Sequence, residues 1–131
     1  MLPLAEERGV GIVVRVPLAS GFLTGTITED HQFAADDYRS FTPREEIVTL
    51  VRQAQRFSWL VEDGIAGSMP EAALRYVLSF PAVSAVIAGA MRREEIEANV
   101  AAVADGPLPR DALQRIETIQ RELGLLRTPA A

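Results

Sequence analysis

The stretch Val10-Gly11-Ile12-Val13-Val14-Arg15-Val16-Pro17-Leu18-Ala19-Ser20-Gly21-Phe22-Leu23-Thr24-Gly25 decides how the chain is read. Val10 to Val16 is a short β-branched run, apolar on both faces apart from Arg15, as expected of a parallel strand covered on both sides. Pro17 ends it. The residues behind it then form a loop at the C-terminal end of a strand, where parallel sheets place their ligands. Small residues let backbone N–H groups approach a phosphate, and Ser20 and Thr24 add hydroxyl donors. A Gly-rich turn that holds no ligand is the alternative.

The pattern returns at Val83 to Ile87, a second short strand with Gly89 as its tight exit, followed by a helix from Arg92 to Ala104 with Ile96, Val100 and Val103 inward. The junction Gly89-Ala90-Met91-Arg92-Arg93-Glu94-Glu95 offers an anion the free amides of a helix start and two forked guanidinium groups. At about 100° per residue, Arg92, Glu95 and Asn99 share one stripe and can line one bound group. A solvated helix start with an Arg92–Glu95 ion pair is the competing reading.

Between the strands, residues 17–41 form a long strand-top loop without a steady period. Thr42-Pro43-Arg44-Glu45 reads as a helix start, with Thr42 as cap and Glu45 closing a capping box. Apolar spacing from Ile47 through Phe57 to Val61 carries this helix to Asp63-Gly64. Ser68-Met69-Pro70-Glu71 opens another that Pro81 stops, and a last helix runs from about Pro109 to Leu123. Met1 to Arg8, ending at Gly9, reads like the end of a helix that lacks a start, so the opening looks cut. The order describes two successive βα units with parallel strands.

Composition removes other classes. Of 131 residues, 48% are hydrophobic, and 18 acids against 13 bases leave a net charge of −5. That balance speaks against coating nucleic acid or an anionic membrane. No cysteine is present, which excludes disulfides and thiolate chemistry and fits a reducing, cytoplasmic setting. All 13 bases are arginine, so no lysine-assisted step is possible within this sequence. His31 lies in an acidic loop whose spacing fits no metal pattern. Tyr38, Tyr76, Phe57, Trp59 and Phe80 read as packing residues. Gly9-Val10-Gly11 precedes its strand and fails as a dinucleotide fingerprint.

Three ordered blocks carry a family resemblance: Val16 to Gly25, then Ala73-Leu74-Arg75-Tyr76-Val77-Leu78, then Pro81 to Ala90 with Glu95 and Asn99 after it. Together they resemble the C-terminal part of aldo/keto reductases, (β/α)₈-barrel enzymes that reduce aldehydes and ketones with NADP(H). The resemblance implies an α/β fold, a partial TIM barrel consisting of its last two βα units: two parallel strands, about four helices and a C-terminal helix end. It assigns residues 1–124 to the barrel and leaves 125–131 as a flexible tail.

By the same resemblance, Arg15, Pro17, Leu18, Ser20, Gly21 and Leu23 would face the pyrophosphate and nicotinamide. Gly89, Ala90, Arg92, Arg93, Glu95 and Asn99 would face the adenosine and its 2′-phosphate. Arg15 stands where many members have an aromatic ring, and Glu95 where they have Gln or Arg, so NAD(H) stays open beside NADP(H). The family's catalytic Asp, Tyr, Lys and His belong to the other half of the barrel. The expectation is therefore a truncated, cofactor-side oxidoreductase segment, inactive alone, with a nicotinamide dinucleotide as partner. Self-association, pairing with the missing barrel half, and a degenerate remnant are the alternatives.

Overall fold

The computed structural model describes residues 2–126. Helix α1 (Leu2–Glu7) leads into strand β1 (Ile12–Arg15), followed by 3₁₀ turns at Ala19–Thr24 and Tyr38–Phe41. Helices α2 (Arg44–Gln55), α3 (Trp59–Glu62) and α4 (Met69–Leu78) precede strand β2 (Val83–Ile87), and α5 (Arg93–Ala102) and α6 (Arg110–Glu122) complete the order. The class is α/β, as expected, with β1 and β2 paired in parallel.

The pairing sets Val13 beside Ala85, Val14 beside Val86 and Arg15 beside Ile87, with a register break next to Ile12. Ser84 is the residue skipped there. A Cβ at Gly11 would lie 2.5 Å from the Ser84 hydroxyl, so glycine is what lets the strands close at the break. The first strand is shorter than the predicted Val10 to Val16, because Val16 turns to φ +53° and leaves the extended region.

The core does not sit on the sheet. One cluster joins Trp59 and Leu60 of α3, Ala72 of α4, and Ala112, Ile116 and Ile119 of α6. A second joins Phe22 and Ile27 of the long loop to Ile47 and Val51 of α2. No residue of β1 or β2 is fully buried, and Val13 and Ile87 are 55% and 59% exposed. The expected cover on both faces is thus absent among the described residues, since two strands offer helices too little width to bury both sides.

Three local expectations change. Residues 42–63 form two helices, because the amides of Arg56, Phe57 and Ser58 step back to i−3 carbonyls and turn Trp59 and Leu60 into the core. Thr42 does not cap α2; its N–H donates to the Arg39 carbonyl and closes the preceding 3₁₀ turn. On α5 the half-buried positions are Glu95, Asn99 and Ala102, with Val103 just past its end, while Ile96 and Val100 are exposed. The predicted inward stripe is rotated because α5 turns its polar stripe, Glu95 and Asn99, to the cleft described below. The cap at Ser68 holds, its hydroxyl accepting the Glu71 N–H at 3.2 Å. Of the expected tail, 127–131 lie outside the described residues.

Candidate functional site

The two segments singled out after the strands, about seventy positions apart, meet in one cleft of about 810 Å³. Arg15, Pro17, Leu18, Ser20 and Gly21 line one side, and Gly89, Ala90, Arg92, Glu95 and Asn99 line the other. Parallel pairing explains the meeting: both strands end at the same rim, so the residues that follow Arg15 and Ile87 emerge side by side.

Two of the predicted residues stay out of the cleft lining. Leu23 is half-buried, and its N–H donates to the Leu18 carbonyl at 3.2 Å. Arg93 points to Glu97 at 2.7 Å, 85% exposed. A third expectation is corrected in detail. The amides of Ala19, Gly21 and Leu23 bond within the turn, and the Thr24 hydroxyl donates to the Gly21 carbonyl at 2.7 Å. These groups are spent on the loop's own shape, because so tight a turn must satisfy its polar backbone internally.

The loop is wound unusually. Val16, Ala19 and Ser20 have φ of +53°, +48° and +56°, and Gly21 has +94°. Such conformations persist only where surroundings hold them, and they cluster at ligand sites. The holder is Arg39, which the sequence reading passed over. Its Nη1 donates to the Ser20 carbonyl at 2.7 Å, its Nε and Nη2 fork onto Asp37, and its guanidinium lies 4.5 Å from the Phe33 ring centre. The signal was present in Asp37-Tyr38-Arg39, an acid that accepts the N–H two residues on. The Arg39 guanidinium holds the Asp37 carboxyl down at about 2.

At the opposite wall Glu95 Oε2 accepts the N–H groups of Met91 at 2.8 Å and Arg92 at 3.4 Å. Its Oε1 accepts Arg92 Nε and Nη2 at 3.0 and 2.8 Å, so the ion pair foreseen as the competing reading is formed. The Met91 N–H first, then the Arg92 guanidinium, hold this carboxyl below its ordinary range.

The aromatic residues are placed largely as packing predicts. Tyr76 and Phe80 meet edge to face at 5.2 Å, Tyr76 trades hydrogen bonds with Gln120, and burial raises the Tyr76 phenol. Tyr38 is instead 69% exposed and lines the cleft. His31 sits edge-on to Phe33 at 4.8 Å, and among the described residues no three His, Asp or Glu side chains gather as metal ligands. Among these residues no helix is long and apolar enough to cross a membrane.

A parallel α/β unit with a cleft at its strand ends defines the class of fold, and comparison narrows it. The aldo/keto reductase family model matches residues 1–121, and the chain belongs to that family. It is 33% identical over 112 residues to a probable voltage-gated potassium channel subunit beta of Arabidopsis thaliana, covering 82% of this chain and 34% of that protein. It is 28% identical over 124 residues to the NADH-specific methylglyoxal reductase of Escherichia coli, covering 89% and 38%. The glycerol dehydrogenase AKR11B4 of Gluconobacter oxydans superimposes with a TM-score of 0.76 at 25% identity, over 100% of this chain and 40% of that one. The chain thus spans between 34% and 40% of the length of these three proteins. Among the described residues, two parallel strands and six helices match part of a TIM-type barrel.

Proposed function

We propose that this chain forms the cofactor-side wall of an aldo/keto reductase, its cleft holding a nicotinamide dinucleotide. One observation carries the reading: the loop after β1 and the start of α5, each chosen for anion chemistry, line the same cleft. Arg15, Ser20, Arg39, Arg92, Glu95 and Asn99 all line the cleft. On this reading Ser20 and Arg39 would border the pyrophosphate side, Arg15 would present a planar cation, and Arg92, Glu95 and Asn99 would face the adenosine end. Family resemblance alone would make the nucleotide NADP(H).

When bound, such a nucleotide supplies a hydride to a carbonyl carbon. This chain binds and orients it. A proton must reach the carbonyl oxygen, and we assign that step to an Asp, Tyr, Lys and His set outside this sequence, which has no lysine. The segment is accordingly proposed to correspond to the last two βα units, inactive alone, in a cytoplasmic setting. Isothermal titration of the purified chain with NADH and NADPH tests the cleft; binding of neither nucleotide would refute the reading. Calorimetry suits the test because the single tryptophan, Trp59, lies in the α3–α4–α6 core.

A second observation concerns assembly. Val13 of β1 is more than half exposed, and Ile96 and Val100 flank a groove with Leu74, Leu78 and Val86. We propose that these exposed apolar surfaces seat the remaining βα units of an aldo/keto reductase barrel. Mixing the chain with a separately expressed N-terminal barrel portion should yield one larger species by sedimentation, and independent sedimentation of the two would reject the pairing.

A further inference from the structure

Three guanidinium groups line the cleft, those of Arg15, Arg39 and Arg92. Two are spent: Arg39 forks onto Asp37, and Arg92 onto Glu95. The Arg15 side chain has no hydrogen bond or ion pair among the described residues, so it leaves the cleft one uncompensated positive charge. A planar cation with all its donors open matches an oxyanion in shape and sign.

The position of Arg15 says which part of a ligand it meets. Val13 and Arg15 of β1 stand beside Ala85 and Ile87 of β2, and all four are exposed, so they form one face of the sheet. The other face carries Val14 and Val86, both half-buried, and Val86 shares a groove with Leu74 and Leu78 of α4. Helix α4 therefore lies on the Val86 side, and Arg15 stands on the opposite face, at the last position of β1. In a parallel barrel the face turned from the helices is the interior, and its C-terminal rim is where the reacting groups gather. The other residues of that face, Val13, Ala85 and Ile87, are apolar and offer the guanidinium no competing side-chain acceptor.

Resting on the reading of the cleft as the dinucleotide wall of an aldo/keto reductase, we infer that Arg15 is a specificity-determining residue for the carbonyl substrate. It receives, fork to fork, an oxyanion that the substrate carries, a carboxylate or a phosphate ester. Where the resemblance puts an aromatic ring in many members, this chain puts a charge that a neutral aldehyde or ketone leaves unmatched.

The chain alone is proposed to lack turnover, so binding is read directly. The full chain, saturated with whichever nicotinamide nucleotide it binds, is titrated with pyruvate, with dihydroxyacetone phosphate and with the neutral pyruvamide, and NMR follows the Arg15 Nε–H. At low salt at least one anion is expected to bind about fivefold more tightly than pyruvamide, the upper end for an exposed ion pair, and to shift that resonance. Which anion is favoured identifies the carboxylate or the phosphate ester as the recognised group. In Arg15→Gln the preference should vanish; Arg15 belongs to neither core cluster, so this variant is expected to fold. Equal binding of the anions and pyruvamide by the wild type, or a preference that survives in R15Q, would overturn the inference and leave the dinucleotide cleft standing. Anion binding confined to the nucleotide-free chain would assign Arg15 to the cofactor's own phosphates and overturn it as well. Failure of both NADH and NADPH to bind would remove the cleft reading and this inference with it.

Discussion

Arg39 Nη1 donates to the Ser20 carbonyl at 2.7 Å, joining the second 3₁₀ turn to the first across 19 positions of sequence. The bond matters because Ser20 and its neighbours occupy left-handed backbone that ordinary side chains avoid. Arg39 is itself fixed by Asp37 and by Phe33, which packs against the Phe22 cluster. Core packing is thereby transmitted to the loop that shapes one wall of the cleft. Arg39→Ala should cost about 1.5–3 kcal/mol of stability, the range for a hydrogen bond to a charged group, and weaken dinucleotide binding about tenfold. Arg39→Lys restores charge without the fork and should recover only part. Urea melts and calorimetric titration of the three proteins check this.

Gly21 is held from the other side. At φ +94° a Cβ would lie 2.8 Å from Arg39 Nη1, so an added methyl strains the backbone and displaces the guanidinium. Gly21→Ala is expected to lose about 1–3 kcal/mol. Thermal unfolding reads the effect, and a midpoint within a degree of wild type would show the turn to be softer than described.

Asp37 gives the fold a pH dependence with a defined sign. Its carboxyl titrates near 2 in the folded chain against an ordinary 3.8, so its ion pair stabilises fully above about pH 4. That contribution fades as pH falls through 2. The stability difference between wild type and Asp37→Asn should therefore be constant from pH 7 to 5 and shrink towards pH 2. Chemical denaturation at stepped pH measures it, and a difference that grows in acid would contradict the assignment.

Arg75 is 7% exposed and fully engaged, donating to the carbonyls of Ile65 and Gly106 and to Glu71. It ties α4 to the loops on either side of it. Arg75→Ala leaves Glu71 and two carbonyls short of their donor in a buried setting, with an expected loss of about 3–5 kcal/mol. Arg75→Met should be milder because it keeps the volume. Urea denaturation separates the two, and equal losses would show that the lost hydrogen bonds and charge, and not the lost volume, carry the effect.

Much of this was legible along the chain. Val83 to Ile87 reads with its final bounds, and Ser68 with its capping role, because a short apolar run with a glycine exit and a hydroxyl three residues before an N–H are local signals. The helix break at Arg56 was not visible, since Phe57 and Val61 both satisfy helical spacing and only packing against α6 turns Trp59 and Leu60 into the core. Arg39 was passed over for the same kind of reason. Its partners Ser20 and Phe33 are distant in sequence or hidden in a loop without period.

The primary structure on its own determined the αβ order, the two parallel strands, the polar loops behind them and the absence of lysine and cysteine. Those follow from side-chain periodicity, turn chemistry and composition, all short-range or additive properties. Only the folded arrangement decided that the two loops share a cleft, that Arg93 faces away from it, and that Glu95 rather than a ligand receives the amides of α5. Hydrogen-bond donors are claimed by whichever acceptor the fold brings within 3 Å, and that competition between a chain's own groups and its ligand is settled in space.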